Sequence, residues 1–159
     1  MAMQDCIADI RRWMQADRLK LNDEKTEFIV IGTKQQLAKV SVESLCVGNE
    51  TNAPSDKVKN LGCWFDTHLK MDSHINNCCR AASFHLFNIR RIRKFLSYDT
   101  VQTLANALLT SRLDYCNSLL YALPANQLCK LQRVQNAAAR LICNISRFDH
   151  ITPALHKLH

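Results

Sequence analysis

The sequence predicts an α+β protein in which one helix and a small β-sheet precede a helical bundle. Apolar residues recur every three to four positions along most of the chain, which is typical of amphipathic helices. Short extended runs ending in turn residues interrupt the first third. The 159 residues contain only 3 Gly and 3 Pro, which favours helices over long loops. This length suits one domain, or one domain with an attached subdomain.

The first 66 residues are predicted to form a helix followed by strands. One helical face, expected to end near Asp17, is marked by Met3, Ile7, Ile10 and Met14. Extended runs are expected at 26–31, 40–47 and 58–65, and the last of these contains Gly62. A glycine inside an extended run indicates either close approach to its backbone by another chain or a ligand, or a bulge.

Helices are predicted after Asp72, where the apolar pattern changes. Their faces run over residues 75–96, 101–119 and 128–145, and a further helix could begin near residue 151. Ser73 is the expected N-cap of the first of these helices, and Ser97 or Asp99 is that of the second. Pro124 is expected to end the second helix. Short connections between such helices give a compact bundle.

Positive charge is concentrated in these helices. Residues 1–72 carry ten Lys or Arg against eleven Asp or Glu, whereas residues 73–147 carry ten Lys or Arg and only two acidic residues. Clustered cations favour a phosphate backbone as partner, because binding releases its counterions. The alternative is a solvated basic surface that maintains solubility.

The first predicted helix of the bundle holds the sharpest group of candidate binding residues: Arg80, Arg90, Arg91, Arg93 and Lys94. Arg90, Arg93 and Lys94 share a face, away from the apolar stripe. A helix with a buried face and a basic flank suits duplex binding without base readout. Alternatively, these arginines pair with acidic residues of the N-terminal half.

The remaining candidate sites are less specific. Lys25, after the 22–24 turn, is either a general acid toward a leaving phosphate or an exposed turn residue. The eight Cys contain no Cys-x-x-Cys pair, and the possible metal sets are His74 with Cys78, or His150, His156 and His159, so no metal site is expected. Without a signal peptide or an apolar run long enough to span a membrane, we expect an intracellular protein, nuclear or cytoplasmic, that is not secreted.

Two blocks, 111–121 (Ser-Arg-Leu-Asp-Tyr-Cys-Asn-Ser-Leu-Leu-Tyr) and 131–142 (Leu-Gln-Arg-Val-Gln-Asn-Ala-Ala-Ala-Arg-Leu-Ile), carry a family resemblance. Shorter matches lie at 13–14, 19–22, 25–32, 58–62, 74–76, 84–86 and 88–90. Together they resemble the reverse transcriptases of non-long-terminal-repeat retrotransposons, of the jockey-like and chicken-repeat-like group. Departures include Cys63-Trp64 after the glycine, Phe87 where a basic residue is common, and Ala122 in place of a glycine.

The resemblance implies a division of the chain and a role for three residues. Residues 1–68 correspond to the rear of a polymerase palm, 69–148 to a helical thumb, and 149–159 to the truncated start of a following region. Lys25 matches the lysine of the palm's fourth motif, which is expected to act on the pyrophosphate of the incoming nucleotide. Leu61 and Gly62 match the primer-grip turn, which holds the primer's 3′ end through its backbone.

The family's catalytic Asp-Asp motif precedes the helix that opens here at Met3, so we expect the chain to lack it. The Mg²⁺ of the intact family enzyme is then not expected in this chain, and its activity as an enzyme is uncertain. We expect non-specific binding to an RNA or RNA–DNA template–primer duplex. The alternatives are a protein–protein module, which associates with itself or with a missing upstream palm and fingers segment, and a non-functional pseudogene product.

Overall fold

The computed structural model describes residues 2–158, and the chain divides into two compact units between Lys70 and Met71. The first unit contains one long helix, short helical turns and two small antiparallel sheets, and the second is helical. The predicted α+β class is therefore confirmed at that level. Among the described residues, no helix has both the length and the apolar composition needed to cross a membrane.

The first unit begins with its only long helix and continues with short elements. Its helical elements are α1 (Ala2–Ala16), a 3₁₀ turn (Asp23–Lys25) and α2 (Lys34–Leu37). Its strands form two separate hairpins, β1 (Leu45–Val47) with β2 (Glu50–Asn52) and β3 (Lys57–Asn60) with β4 (Cys63–Asp66).

An ion pair joins α1 to the following turn. The Arg11 guanidinium donates two hydrogen bonds to the Asp23 carboxylate, at 2.6 and 3.2 Å. Gly48, in the β1–β2 turn, has a φ of +64°, and a Cβ atom there would collide with the Asp23 carboxylate. A glycine is required at this position both by its backbone conformation and by the space that the ion pair leaves.

The run at 58–65 forms a hairpin and not the single extended segment that we predicted. Asn60 pairs with Cys63, and the two residues between them have positive φ values, 46° for Leu61 and 91° for Gly62. Positive φ at both central residues is the signature of the tight turn that suits the twist of a hairpin. Gly62 therefore reverses the chain and is not a bulge within a strand.

The predicted strand at 26–31 is wrong, because this segment belongs to neither sheet. The Ser55 N–H donates to the Phe28 carbonyl at 2.9 Å, and the Gly32 N–H donates to the Thr67 carbonyl at 3.0 Å. These isolated hydrogen bonds do not form a ladder. A strand needs a continuous partner, which the residue pattern alone does not reveal.

The second unit contains α3 (Asp72–Ile92) with a 3₁₀ extension (Arg93–Phe95), α4 (Tyr98–Ala105), a π segment (Asn106–Thr110), α5 (Ser111–Asp114), a 3₁₀ turn (Asn117–Leu120), α6 (Ala125–Cys143) and α7 (Thr152–Leu158). The Ser97 side chain accepts a hydrogen bond from the Thr100 N–H, as expected of an N-cap. Ser73 is not the N-cap of α3, because that position is occupied by Met71, with a φ of 59°.

Helices α3 and α6 run in the same direction. Their starts meet where Lys130 donates to Asn76 at 3.2 Å, and their ends meet where Arg93 donates to Leu141 at 3.1 Å. The segments from α4 to α5 connect them, and together these elements enclose the core: Ala82, Leu86, Ile89, Val101, Ala105, Leu109, Val134, Ala138, Leu141 and Ile142. Two parallel helices necessarily place both of their C-terminal ends on the same side of the bundle.

The second predicted helix is shorter than the apolar pattern indicated. It ends after Asp114, where Tyr115 turns extended and Cys116 takes a left-handed φ of 59°. Tyr115 and Leu119, whose spacing predicted another turn of helix, are both exposed. Helical spacing of apolar residues stabilises a helix only when the face that they form is buried.

Replacing Ala122 with glycine should stabilise the second unit. Ala122 is exposed and has a φ of 63°, which costs a residue with a Cβ about 1–2 kcal/mol. After the extra chain entropy of glycine is subtracted, we expect a gain of about 0.5–1 kcal/mol in unfolding free energy, measured by urea denaturation. The control, Ala137→Gly inside α6, should lose about 1 kcal/mol. A loss in both variants would contradict the left-handed conformation of Ala122.

Candidate nucleic-acid interface

The ends of α3 and α6 flank a basic groove of about 660 Å³. We call it the basic groove, and it is lined by Arg90, Arg91, Arg93, Lys94, Arg140, Leu141, Asn144, Ile145 and Arg147. Six of these nine residues are Arg or Lys, and no Asp or Glu is among them. Such a surface attracts polyanions from a distance and holds them by contact.

Helix geometry explains part of this positive charge. The last carbonyls of a helix lack partners within the helix and carry a partial negative charge. Because α3 and α6 are parallel, two such ends lie side by side. Cations are therefore stabilising at these helix ends even without a ligand. Each cation of the groove either bonds to the protein's own carbonyls or remains exposed to solvent.

Arg93 has a structural role. Its guanidinium donates to the carbonyls of Leu141 at 3.1 Å, Leu96 at 3.1 Å and Ile142 at 3.3 Å. These hydrogen bonds cap the end of α6 and join it to the extension of α3. We predicted that Arg93 would share a phosphate-binding face with Arg90 and Lys94, but the structure directs its donors to the backbone.

Arg140 shapes the loop beyond α6. Its guanidinium donates to the carbonyls of Ser146 at 2.6 Å and Asp149 at 2.8 Å. The helix ends at Asn144, whose left-handed φ of 52° reverses the chain. This loop brings Arg147 to the basic groove.

The other four cations are exposed at the basic groove: Arg90, Arg91, Lys94 and Arg147. Within residues 2–158 none of them forms an ion pair, and the ion pairs that do occur there join Arg11 to Asp23 and Arg12 to Asp9. Their charge is thus available to a ligand. Sequence reasoning missed Arg140 and Arg147, although both lie near the predicted end of a helix, where basic residues commonly gather.

The remaining predicted site residues lie elsewhere. Arg80 is exposed on α3 ten residues before Arg90, a distance of about 15 Å along the helix, and does not line the basic groove. Lys25 is exposed at the end of its 3₁₀ turn, where its N–H donates to the Asn22 side chain at 3.1 Å. Leu61 and Gly62 are exposed at the tip of the β3–β4 hairpin.

His74 and Cys78 do lie together, one turn apart on α3, with 3.6 Å between Nε2 and Sγ. Burial lowers the pKa of His74 and raises the pKa of Cys78. Both shifts favour neutral side chains, so the pair has the character of a packed core contact. Nowhere in residues 2–158 do three His, Cys, Asp or Glu side chains converge as metal ligands.

Comparisons with protein families, with curated proteins and with solved structures found no match to this chain.

Replacing Arg93 with alanine should destabilise the second unit by about 2 kcal/mol, since hydrogen bonds from a charged donor typically contribute that much. The matched control is Arg90→Ala, which removes the same charge from an exposed position and should cost less than about 0.5 kcal/mol. Urea denaturation followed by circular dichroism measures both. Equal losses in the two variants would show that Arg93 does not cap α6.

Proposed function

We propose that the chain is a fragment of a retrotransposon reverse transcriptase that binds nucleic-acid duplexes without sequence specificity through the basic groove. The observation that carries this proposal is the group of four exposed cations, Arg90, Arg91, Lys94 and Arg147, in a groove whose lining includes no carboxylate. The proposal assigns binding to this chain and leaves nucleotide addition to the Asp-Asp motif of the intact family enzyme.

The chemistry of the side chains favours phosphate over other anions. Three of the four exposed cations are arginines, whose planar guanidinium can donate two parallel hydrogen bonds to the oxygens of one phosphate. Successive phosphates of a strand are then met by cations from two helix ends. Contacts of this kind position a duplex and carry no base information.

Two details of the fold support the family resemblance. Ala122, which stands where the resembled family has a glycine, adopts the left-handed backbone that glycine favours. Leu61 and Gly62, which match the primer-grip turn, lie at an exposed hairpin tip, where a turn's backbone is accessible to a ligand. These observations support the resemblance through backbone geometry, independently of the charge argument.

Salt dependence tests the proposal. With four phosphate contacts, the affinity for an RNA–DNA duplex of about 16 base pairs should fall about 150-fold between about 50 mM and about 200 mM salt. We expect Arg90, Arg91, Lys94 and Arg147, all changed to Gln, to lose most of this dependence. Fluorescence anisotropy measures the affinities, and duplexes of unrelated sequence should give the same values.

The matched control changes four exposed lysines of the first unit to Gln: Lys34, Lys39, Lys57 and Lys59. It removes the same net charge but leaves the basic groove intact, so binding should be nearly unchanged. An affinity that is indifferent to salt, or an equal loss in both variants, would contradict binding through the basic groove.

Self-association is a second candidate function, and α1 supplies the observation that favours it. Met3, Ile10 and Trp13 are exposed on one side of this helix, and Trp13 is 63% exposed. A second copy of the chain could cover this strip, because burying large apolar side chains is the main driving force of association.

Changing Ile10 and Trp13 to Gln should abolish any self-association. The control changes Leu119 and Tyr121, two exposed apolar residues of the second unit, to Gln and should leave self-association intact. Sedimentation velocity over a hundredfold or so range of concentration detects the change, since a dimer's population rises with concentration. A wild-type chain that sediments as a monomer throughout would exclude this candidate.

A further inference from the structure

Three exposed phenylalanine rings accompany three of the cations of the basic groove. The ring centroid of Phe87 lies 5.9 Å from the Arg91 guanidinium carbon, that of Phe95 lies 4.8 Å from the Lys94 ammonium, and that of Phe148 lies 4.6 Å from the Arg147 guanidinium carbon. The rings are 60%, 76% and 81% exposed, respectively.

These rings come from three parts of the chain. Phe87 projects from the body of α3, Phe95 ends its 3₁₀ extension, and Phe148 lies in the loop that follows α6. The hydrogen bonds from Arg140 to the Ser146 and Asp149 carbonyls hold the loop that carries Phe148. Phenylalanines from separate segments thus each stand beside a cation that lines the groove.

Exposure of this kind does not contribute to folding. Phe87, Phe95 and Phe148 leave most of their apolar surface in water, while the apolar face of α3 is already filled by Ala82, Leu86 and Ile89 in the core. A cation over one face of a ring leaves the second face open. That open face can stack on another flat, polarisable group.

We infer that the basic groove holds an unpaired nucleic-acid strand, with phosphates at the cations and bases stacked on Phe87, Phe95 and Phe148. This inference rests on the proposed function, since it requires phosphate binding in the same groove, and it names the form of nucleic acid that the groove prefers. A blunt duplex offers phosphates only, because its bases are already stacked on one another. An unpaired strand offers both phosphates and bases.

The arrangement fits a strand better than a membrane surface. A helix that lies on a membrane presents one continuous apolar face to the lipid. Here the face of α3 formed by Ala82, Leu86 and Ile89 is buried in the core, and each of the three rings stands beside a cation that lines the groove. Alternation of charge and ring matches the alternation of phosphate and base along an unpaired strand.

The test compares two fluorescein-labelled probes, an oligouridylate of about 12 nucleotides and a blunt RNA–DNA duplex of about 12 base pairs. The full chain should bind the single strand more tightly than the duplex at the same salt concentration. Phe87, Phe95 and Phe148, all changed to Leu, should weaken single-strand binding roughly tenfold or more while changing duplex binding less than about twofold. Leucine keeps an apolar side chain at each position but cannot stack on a base.

Phe84→Leu is the matched control. Phe84 is as exposed as Phe87 and lies on the same helix, but its ring packs edge-on against His85, and within residues 2–158 no Arg or Lys stands over it. This variant should bind both probes as the wild type does. Circular dichroism melts of all variants should coincide, because the changed side chains are exposed.

The outcomes separate the two proposals. If the triple variant binds both probes as the wild type does, or weakens both equally, the stacking inference is wrong, while salt-dependent duplex binding keeps the proposed function. If neither probe binds, both fail. Binding to vesicles of phosphatidylserine and phosphatidylcholine, without binding to the oligouridylate, would overturn the inference in favour of a membrane surface.

Discussion

The contact between Arg93 and the end of α6 is the constraint on which the second unit's basic groove depends. One guanidinium satisfies carbonyls of Leu96, Leu141 and Ile142, which would otherwise lack partners where two helices end. It thereby fixes the spacing of those ends and leaves a groove between them. A lysine could supply the charge at this point, but its single ammonium group lacks the planar fork that reaches separate carbonyls.

Because α3 and α6 are parallel, several of the cations of residues 73–147 come together at one groove of the bundle. Two negative helix ends lie side by side and attract cations, and only some of those cations are needed for structure. Arg93 and Arg140 are bonded to backbone carbonyls, whereas Arg90, Arg91, Lys94 and Arg147 are not. The positive charge at these helix ends therefore exceeds what the backbone carbonyls there bind.

Much of the helical part could be predicted from the sequence, because burial and pattern agree there. The stripe through Leu86 and Ile89 is buried as its spacing indicates, and Ser97 caps α4. Predictions failed where the pattern had no continuous tertiary partner: residues 26–31 belong to neither sheet, and the second helix ends before Tyr115. The spacing of apolar residues indicates which side chains a helix or strand could bury. Whether they are buried depends on the elements that pack against them.

By itself, the sequence determined the mixed class of the fold, the change in character near Asp72 and the concentration of positive charge beyond it, since these follow from composition and periodicity. Tertiary structure alone decided which cations face solvent, that Arg93 bonds to a carbonyl 48 residues away, and that Arg147 lines the same groove as the cations of α3 and its extension. Hydrogen bonds between guanidinium groups and distant backbone carbonyls cannot be predicted from residue spacing, because they depend on where whole helices end.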